Sequence, residues 1–118
     1  MKSRHGFVSN SSSSSFVIKN TSDGPLTIAD FVIENPQLVK DFNQEYNADY
    51  TLGQILISAE ERINNGGRGC YYTFPKNSKK TISFGDEDGD FIGMVYDYIL
   101  RSGGKSKNWE WEFKESLR

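Results

Sequence analysis

The alternation in the segment NWEWEFKE is the feature that most restricts what this chain can fold into. Trp109, Trp111 and Phe113 are separated by single glutamates. Successive side chains of a β-strand point to opposite faces of a sheet, so this spacing predicts a strand with one aromatic and one charged face. This is the clearest signal of a half-buried strand in the chain.

Helical periodicity is found in the middle of the chain. We predict one helix over 28–34 and a second over 36–46, because Pro36 is tolerated in the first turn of a helix but not in its interior. A third helix follows Thr51 as its N-cap, and a fourth, FIGMVYDYILR, follows Asp90 as its N-cap. The apolar spacing predicts that the second helix buries Leu38, Val39, Phe42 and Tyr46, and that the fourth buries Phe91, Val95 and Tyr98, with Met94 beside them.

Shorter strands account for the rest of the predicted sheet. Residues 16–18 form an apolar strand, and two-residue periodicity over 70–74 and 81–84 predicts two strands joined by a hairpin loop. The resulting order, β-α-α-α-β-β-α-β, predicts a single α+β domain over 1–118. Its sheet of about four strands is antiparallel or mixed, with helices packed on it. Eight Phe, six Tyr and two Trp supply the aromatic side chains that a folded core requires.

Cysteine content and hydropathy limit the compartment. Cys70 is the single cysteine of the chain, so no disulfide can form within it. No apolar stretch approaches the roughly 18 residues that a membrane span needs. We therefore expect a protein of a reducing compartment with no membrane partner.

Charge is segregated along the chain, although the formal net charge is only -2. Residues 20–61 carry eight acids against Lys40 alone, residues 62–85 carry five bases and no acid, and residues 86–97 carry five acids and no base. Such blocks steer partners of the opposite sign when they also cluster in space, and otherwise form ordinary solvated surfaces.

Catalytic groups are sparse in the sequence. Nucleophilic catalysis needs a nucleophile beside an oriented base, and His5 is the only histidine. His5 lies close to a serine-rich segment, whereas Cys70 belongs to an inward-facing strand pattern. Neither a cofactor motif nor a set of four zinc ligands can be found, so we expect a protein that is not an enzyme and holds no cofactor.

An acidic loop precedes the fourth predicted helix. Carboxylates at this density suit hard cations such as Mg²⁺ or Ca²⁺. The same residues are also favoured in a turn and at a helix N-terminus, without any metal. The candidate metal ligands are Asp86, Glu87, Asp88 and Asp90.

Basic residues concentrate around the predicted hairpin. Lysines attract phosphates, and an outward-facing aromatic ring can stack on a base. Lysines also keep exposed strands soluble, and the isoelectric point of about 5.4 argues against a dedicated nucleic-acid binder. The candidate residues for binding nucleic acid or another partner are Lys76, Lys79, Lys80, Arg62, Arg68 and Tyr71.

Five consecutive serines stand between the apolar clusters Phe7-Val8 and Phe16-Val17-Ile18. Because only ten residues precede them, we predict a polar loop held at both ends rather than a linker, within a partly mobile segment over 1–15. Their hydroxyls are candidates for modification, or for recognition of an anion by the loop. The residues are Ser11, Ser12, Ser13, Ser14 and Ser15.

The segment GFVSNSSSSSFVI is similar to the opening of a group of small, largely uncharacterised bacterial and bacteriophage proteins. The resemblance covers residues 1–18 closely and implies a bacterial host cytosol. It carries over no catalytic residue, because no activity is assigned to that segment.

The lack of a catalytic set and of a cofactor motif, together with the segregated charge, favours a non-enzymatic protein of phage or bacterial type that binds another macromolecule, such as a host or defence protein. The alternative is a nucleic-acid-binding module that uses the basic hairpin. A third hypothesis is a metal-dependent enzyme that uses the acidic loop.

Overall fold

A four-stranded antiparallel sheet forms one layer of the molecule. The structure is a computed structural model that describes residues 13–64, 72–85 and 90–117. The sheet strands are β1 (Ser13–Asn20), β4 (Lys79–Gly85), β5 (Gly104–Lys105) and β6 (Trp109–Leu117), and the short strands β2 (Leu26–Thr27) and β3 (Thr73–Phe74) pair separately.

Four α-helices form the second layer. Their presence on a four-stranded antiparallel sheet confirms the predicted α+β domain and the predicted order of elements, to which the structure adds β2 and β5. The helices are α1 (Ile28–Glu34), α2 (Pro36–Tyr46), α3 (Leu52–Asn64) and α4 (Phe91–Ile99), and a 3₁₀ turn (Leu100–Ser102) continues α4.

Side-chain caps fix where α1 and α3 begin. At α1, the backbone N–H of Thr27 donates to the Asp30 carboxylate at 2.8 Å. At α3, the Gln54 backbone N–H donates to the Thr51 hydroxyl at 3.1 Å, and the Thr51 N–H donates to the Gln54 side chain at 2.8 Å. These reciprocal bonds satisfy backbone donors that a helix start leaves unpaired, which is why the bounds could be predicted from the sequence.

The core lies between the two layers and is largely aromatic. The ring of Phe31 on α1 lies 5.6 Å from Tyr96 on α4, and 5.2 Å from each of Trp109 and Trp111 on β6, measured between centroids. All three contacts are edge-to-face, the arrangement that ring quadrupoles favour. Phe31 thereby joins the first helix to the last strand, as the alternation of β6 required.

β1 is an interior strand of the sheet, which has the order β4-β1-β6-β5. Phe16 pairs with Ile82 on one side and with Phe113 on the other, and the register shifts between Ser15 and Phe16 on the β6 side. The short segment that the sequence predicted as one strand among several is therefore the strand around which the sheet is built.

The predicted hairpin between the strands at 70–74 and 81–84 is wrong for the described residues. Thr73–Phe74 pairs with Leu26–Thr27, whereas Lys79–Gly85 pairs with β1. The buried side chain of Asn20 explains the difference, because its Nδ2 donates to the Phe74 carbonyl at 2.9 Å and to the Gly24 carbonyl at 2.8 Å. These bonds hold β3 against the end of β1 and turn it away from β4.

The predicted buried face of α4 is wrong in part. Val95 is buried as predicted, but Ile92 and Tyr96 are the fully buried neighbours, whereas 41% of Phe91 is exposed and Tyr98 is half-buried. The helix packs on β4 and also against α2 and α3, so its covered face differs from the stripe chosen from the spacing alone. This rotation leaves two of its aromatic rings at the surface.

The charge blocks of the sequence separate between the two layers. Over the described residues, the helical segments 21–64 and 90–102 carry ten acidic and three basic side chains. The strand segments 13–20, 72–85 and 103–117 carry three acidic and seven basic ones. Within the same ranges, no helix is both long and apolar enough to cross a membrane.

Candidate functional site

Two residues predicted for different sites, Arg62 and Asp90, bind each other. Arg62 Nε lies 2.6 Å from Asp90 Oδ2, and Arg62 Nη2 lies 2.9 Å from Asp90 Oδ1, so the pair is bidentate. Asp90 also caps α4 by accepting from the Gly93 N–H at 3.1 Å. Arg62 was a candidate for nucleic acid and Asp90 for a metal, and both are used within the fold.

The other candidate metal ligands, Asp86, Glu87 and Asp88, lie outside the described residues. Among the residues that the structure does describe, no three side chains of the ligating types Asp, Glu, His and Cys cluster closely enough to hold a metal ion.

The candidate basic residues are not brought together on one surface. Lys79 and Lys80 are neighbours in β4, so their side chains leave opposite faces of the sheet. Lys80 Nζ lies 5.9 Å from the Phe74 ring centroid, whereas Lys79 lines a groove on the face that the helices leave exposed. Lys76 is exposed in the preceding turn, and Arg68 and Tyr71 lie outside the described residues.

A row of charged residues crosses this exposed face. In register, Lys79 pairs with Lys19, Lys19 with Glu110, and Glu110 with Lys105. We call these four residues the charged row. They line a groove of about 830 Å³ that Glu112 also borders, and none of the four forms an ion pair within the described part of the chain. Because the row contains both acidic and basic side chains, it resembles an ordinary protein surface more than a basic surface that binds a nucleic-acid backbone.

The described part of the serine run, residues 13–15, belongs to the sheet. The prediction of a loop is wrong for Ser13, Ser14 and Ser15, which are the first residues of β1. Ser14 and Ser15 are buried. Ser11 and Ser12 lie outside the described residues. A hydroxyl held inside a central strand is not accessible for modification in the folded state.

Ser14 contacts an ion pair in which one partner, Asp97, is fully buried. Its Oγ accepts from Arg101 Nη2 at 2.9 Å, and the same nitrogen donates to the carboxylate of Asp97, a fully buried residue, at 3.1 Å. Arg101 Nε also donates to the Asp97 backbone carbonyl at 2.8 Å. The serine therefore helps to hold the guanidinium that pairs with the buried Asp97 carboxylate.

A continuous set of aromatic rings crosses the helical layer. The rings of Phe42, Tyr46 and Tyr98 are in mutual contact, with centroids 4.8 Å apart for Phe42 and Tyr46 and 5.5 Å apart for Tyr46 and Tyr98. Tyr50 lies 5.9 Å from Phe42 and 5.6 Å from Phe91. We call these five residues the aromatic strip. Exposure is 47% for Tyr46 and 41% for Phe91, while Phe42 is buried beneath them.

The loop between α2 and α3 is held so that Tyr50 joins the strip. Asn43 Nδ2 donates to the Tyr50 carbonyl at 2.8 Å, and the Tyr50 N–H donates to Asn43 Oδ1 at 3.0 Å. The Asn43 carbonyl accepts from the Ala48 N–H at 3.0 Å, and Asn47 adopts the left-handed conformation (φ 53°) that ends α2. One asparagine thus fixes the turn that places the ring.

Carboxylates flank the strip. Glu45 and Asp49 are exposed, each next in sequence to a tyrosine of the strip, and neither forms an ion pair within the described residues. Partial burial raises the pKa of Tyr46, and the charge and hydrogen bond of Glu45 raise it further. The Tyr46 hydroxyl therefore stays protonated at neutral pH and can donate a hydrogen bond.

An arginine closes one end of the strip. The guanidinium carbon of Arg101 lies 5.3 Å from the centroid of Tyr98 and 5.8 Å from that of Phe113. Both distances are within the range of a cation–π contact. The strip therefore already holds one guanidinium group, which is anchored from behind by Asp97.

Sequence reasoning missed this surface because it assigned the rings to the core. Tyr46, Phe91 and Tyr98 were predicted on buried faces of their helices. The available signal was an excess of large aromatic side chains on two short helices, more than one small core can enclose.

No protein-family model matches the chain, and no curated protein or solved structure was found to be similar to it.

Proposed function

We propose that this protein is a non-enzymatic binding protein whose aromatic strip contacts another protein. The observation that carries the proposal is the continuity of five aromatic rings, of which Tyr46 and Phe91 are more than two-fifths exposed. Tyrosine and phenylalanine are enriched at protein interfaces, where they bury a large area at a low cost in conformational entropy. Such anchors carry much of the binding energy at an interface.

The arrangement of charge favours a protein over a nucleic acid as the partner. Glu45 and Asp49 beside the strip would repel phosphate, and the helical segments are strongly acidic overall. The charged row on the other layer offers three lysines, but Glu110 stands among them, and Trp111, the aromatic residue that lines its groove, is only 8% exposed. The exposed rings Tyr46 and Phe91 and the lysines of the charged row therefore lie on different layers.

Binding from a bacterial lysate tests the proposal, and the resemblance of residues 1–18 motivates that source, together with a cytoplasmic location. We expect the immobilised protein to retain a specific protein, and the variant Tyr46→Ser/Phe91→Ser to lose it.

A matched control removes the same amount of exposed apolar character elsewhere. Ile33→Ser/Ile57→Ser changes two residues on α1 and α3 that are 56% and 59% exposed and are not members of the strip. Retention by the control and loss by the strip variant support the proposal, provided that both variants keep the circular dichroism spectrum of the parent. Equal retention by all three proteins, or retention of nucleic acid in place of protein, would exclude it.

Nucleic-acid binding remains the second candidate function, because Lys19 and Lys105 add to Lys79 on the exposed face of the sheet. If it operates, affinity for single-stranded RNA or DNA falls steeply as salt rises and falls further in Lys19→Glu/Lys79→Glu. A lack of any salt-dependent binding removes this candidate.

A further inference from the structure

We propose that the aromatic strip binds a segment of its partner that carries arginine side chains, an inference that rests on the proposed function. Three features of the helical layer point to this chemistry. They are the guanidinium that the strip already holds, the carboxylates beside it, and the charge of the surrounding segments.

The chain itself shows how these rings accommodate a guanidinium group. Arg101 lies against Tyr98 and Phe113 at one end of the strip, with Asp97 as its carboxylate partner. The same combination occurs at Arg62, whose guanidinium carbon lies 5.0 Å from the Phe84 ring centroid while Asp90 binds it bidentately. In both cases a planar cation is held between an aromatic ring and a carboxylate.

The exposed part of the strip offers the same two groups without an arginine of its own. Tyr46 and Phe91 present exposed rings. The exposed Glu45 forms a side-chain hydrogen bond with Tyr46, and the exposed Asp49 directly precedes Tyr50 in the chain. Neither carboxylate forms an ion pair within the described residues. An incoming guanidinium could therefore stack on a ring and pair with a carboxylate, as Arg101 does.

The wider charge distribution favours the same partner. The helical segments carry ten acidic against three basic side chains, and two of those three bases, Arg62 and Arg101, are already paired with Asp90 and Asp97. The remaining base, Lys40, is exposed on α2 two residues before Phe42, which places it on the opposite side of the helix from that ring. A cationic segment would be attracted to this layer before it makes contact.

Arginine fits this site better than lysine. The guanidinium is planar, stacks on aromatic faces and offers a fork of donors to a carboxylate, whereas the lysine ammonium is a compact and strongly hydrated point charge. We therefore expect the strip to discriminate between the two cations, which simple attraction to an acidic surface would not do.

Titration with synthetic peptides tests the inference. The probe is a short peptide of alternating arginine, glycine and serine, and the matched probe has lysine at every arginine position. We expect the arginine peptide to bind at least about threefold more tightly than the lysine peptide, as one or two exposed cation–π contacts would give. The chemical-shift changes that the arginine peptide causes in the protein's nuclear magnetic resonance spectrum should be largest at Tyr46, Tyr50 and Phe91.

Two pairs of variants with equal charge change locate the binding. Glu45→Gln/Asp49→Asn removes two carboxylates beside the strip, and Glu110→Gln/Glu112→Gln removes two from the exposed face of the sheet. We expect the first pair to weaken binding of the arginine peptide about tenfold, a change of about 1.4 kcal/mol, and the second to leave it unchanged. Tyr46→Leu should abolish the preference for arginine over lysine.

Equal affinity for the two peptides, an equal effect of the two variant pairs, or no binding at about 1 mM peptide would overturn the inference. Such a result leaves the proposed function intact if Tyr46→Ser/Phe91→Ser still loses the partner retained from the lysate. If the parent protein binds the two peptides equally and Tyr46→Ser/Phe91→Ser still retains the partner, both the inference and the proposed function are excluded.

Discussion

Gly93 lies where three groups converge on one backbone position. A Cβ at this residue would stand 2.6 Å from Asp90 Oδ1, 2.8 Å from the Gly85 carbonyl oxygen and 3.0 Å from Arg62 Nη2. The absence of a side chain is what allows the capping carboxylate and the guanidinium to meet above the first turn of α4.

We expect Gly93→Ala to destabilise the protein by about 1–3 kcal/mol, because backbone or a buried ion pair has to move. Gly53→Ala is the control, since its Cβ meets only Thr51 Oγ1 at 3.8 Å in the first turn of α3. The control should be neutral or stabilising by up to about 1 kcal/mol. Urea denaturation measures both, and equal stability of the two variants would contradict the packing described for α4.

The Arg62–Asp90 pair should act as one unit. Exposure of the two side chains is 9% and 23%, so removal of one partner leaves a poorly solvated charge. We expect Arg62→Met to cost about 3 kcal/mol in the free energy of unfolding. The double variant Arg62→Met/Asp90→Asn should cost less than the sum of the two single changes. Strict additivity in urea denaturation would show that the pair is not coupled.

Glu34 links the end of α1 to the turn between β5 and β6. Its carboxylate accepts from Ser106 Oγ at 2.6 Å, and from the backbone N–H and Nδ2 of Asn108 at 2.9 and 2.8 Å. Burial alone would raise the pKa of Glu34, but these hydrogen bonds outweigh it and lower the pKa below the ordinary value of 4.5.

A lowered pKa in the folded state means that Glu34 stabilises the fold above pH 4.5, and that this contribution is lost as pH falls through the lower folded value. Glu34→Gln should therefore reduce the loss of stability on acidification below pH 4.5. Glu112→Gln is the control, because it removes a carboxylate from the exposed sheet face and leaves these hydrogen bonds in place. Identical stability profiles for Glu34→Gln and the parent would contradict this role.

At the scale of elements, β1 is the strand on which the sheet depends. It pairs with β4 and β6 over most of its length, and Phe16 and Ile18 are fully buried. Ser13, Ser14 and Ser15 precede them in the same ladder.

Hydrogen exchange tests the position of β1. Amides of the interior strand should exchange only through large openings of the fold, so residues 14–18 should rank among the slowest. The turn at 75–78 serves as an internal reference. Exchange of the β1 amides at the rate of that turn would mean that the serine segment is a loop, as its position between two apolar clusters had predicted.

Helix bounds could be predicted from the sequence because capping residues act locally. Pro36, Thr51 and Asp90 each mark a helix start through bonds or ring geometry within one turn. Strand pairing and the rotation of α4 could not, because both depend on contacts between residues far apart in the chain. The hydrogen bond from Asn20 to Phe74 joins residues 54 positions apart, and no local sequence pattern predicts it.

The candidate site was predictable only in part for the same reason. The lysines of the charged row come from three strands, so spacing along the sequence could not group Lys19 with Lys79 and Lys105. The aromatic strip was hidden by an assumption that large apolar side chains on a helical stripe are buried. In a domain of 118 residues, some of them remain at the surface.

At the scale of the whole molecule, the two layers carry opposite charge. An acidic helical layer holds the aromatic strip, and a basic sheet layer holds the charged row. Over the described residues, the segregation of charge along the sequence is therefore retained in the fold, and each layer would attract groups of the opposite charge.

The central claim is that the aromatic strip is the surface that meets a protein partner, and site-specific photo-cross-linking tests it most directly. A benzophenone-bearing phenylalanine replaces Tyr46 on the strip in one protein and Glu112 on the exposed sheet face in another, and each is irradiated in the bacterial lysate. We expect a discrete protein adduct from position 46 and none from position 112. An adduct from position 112 alone, or none from either position, would contradict the account.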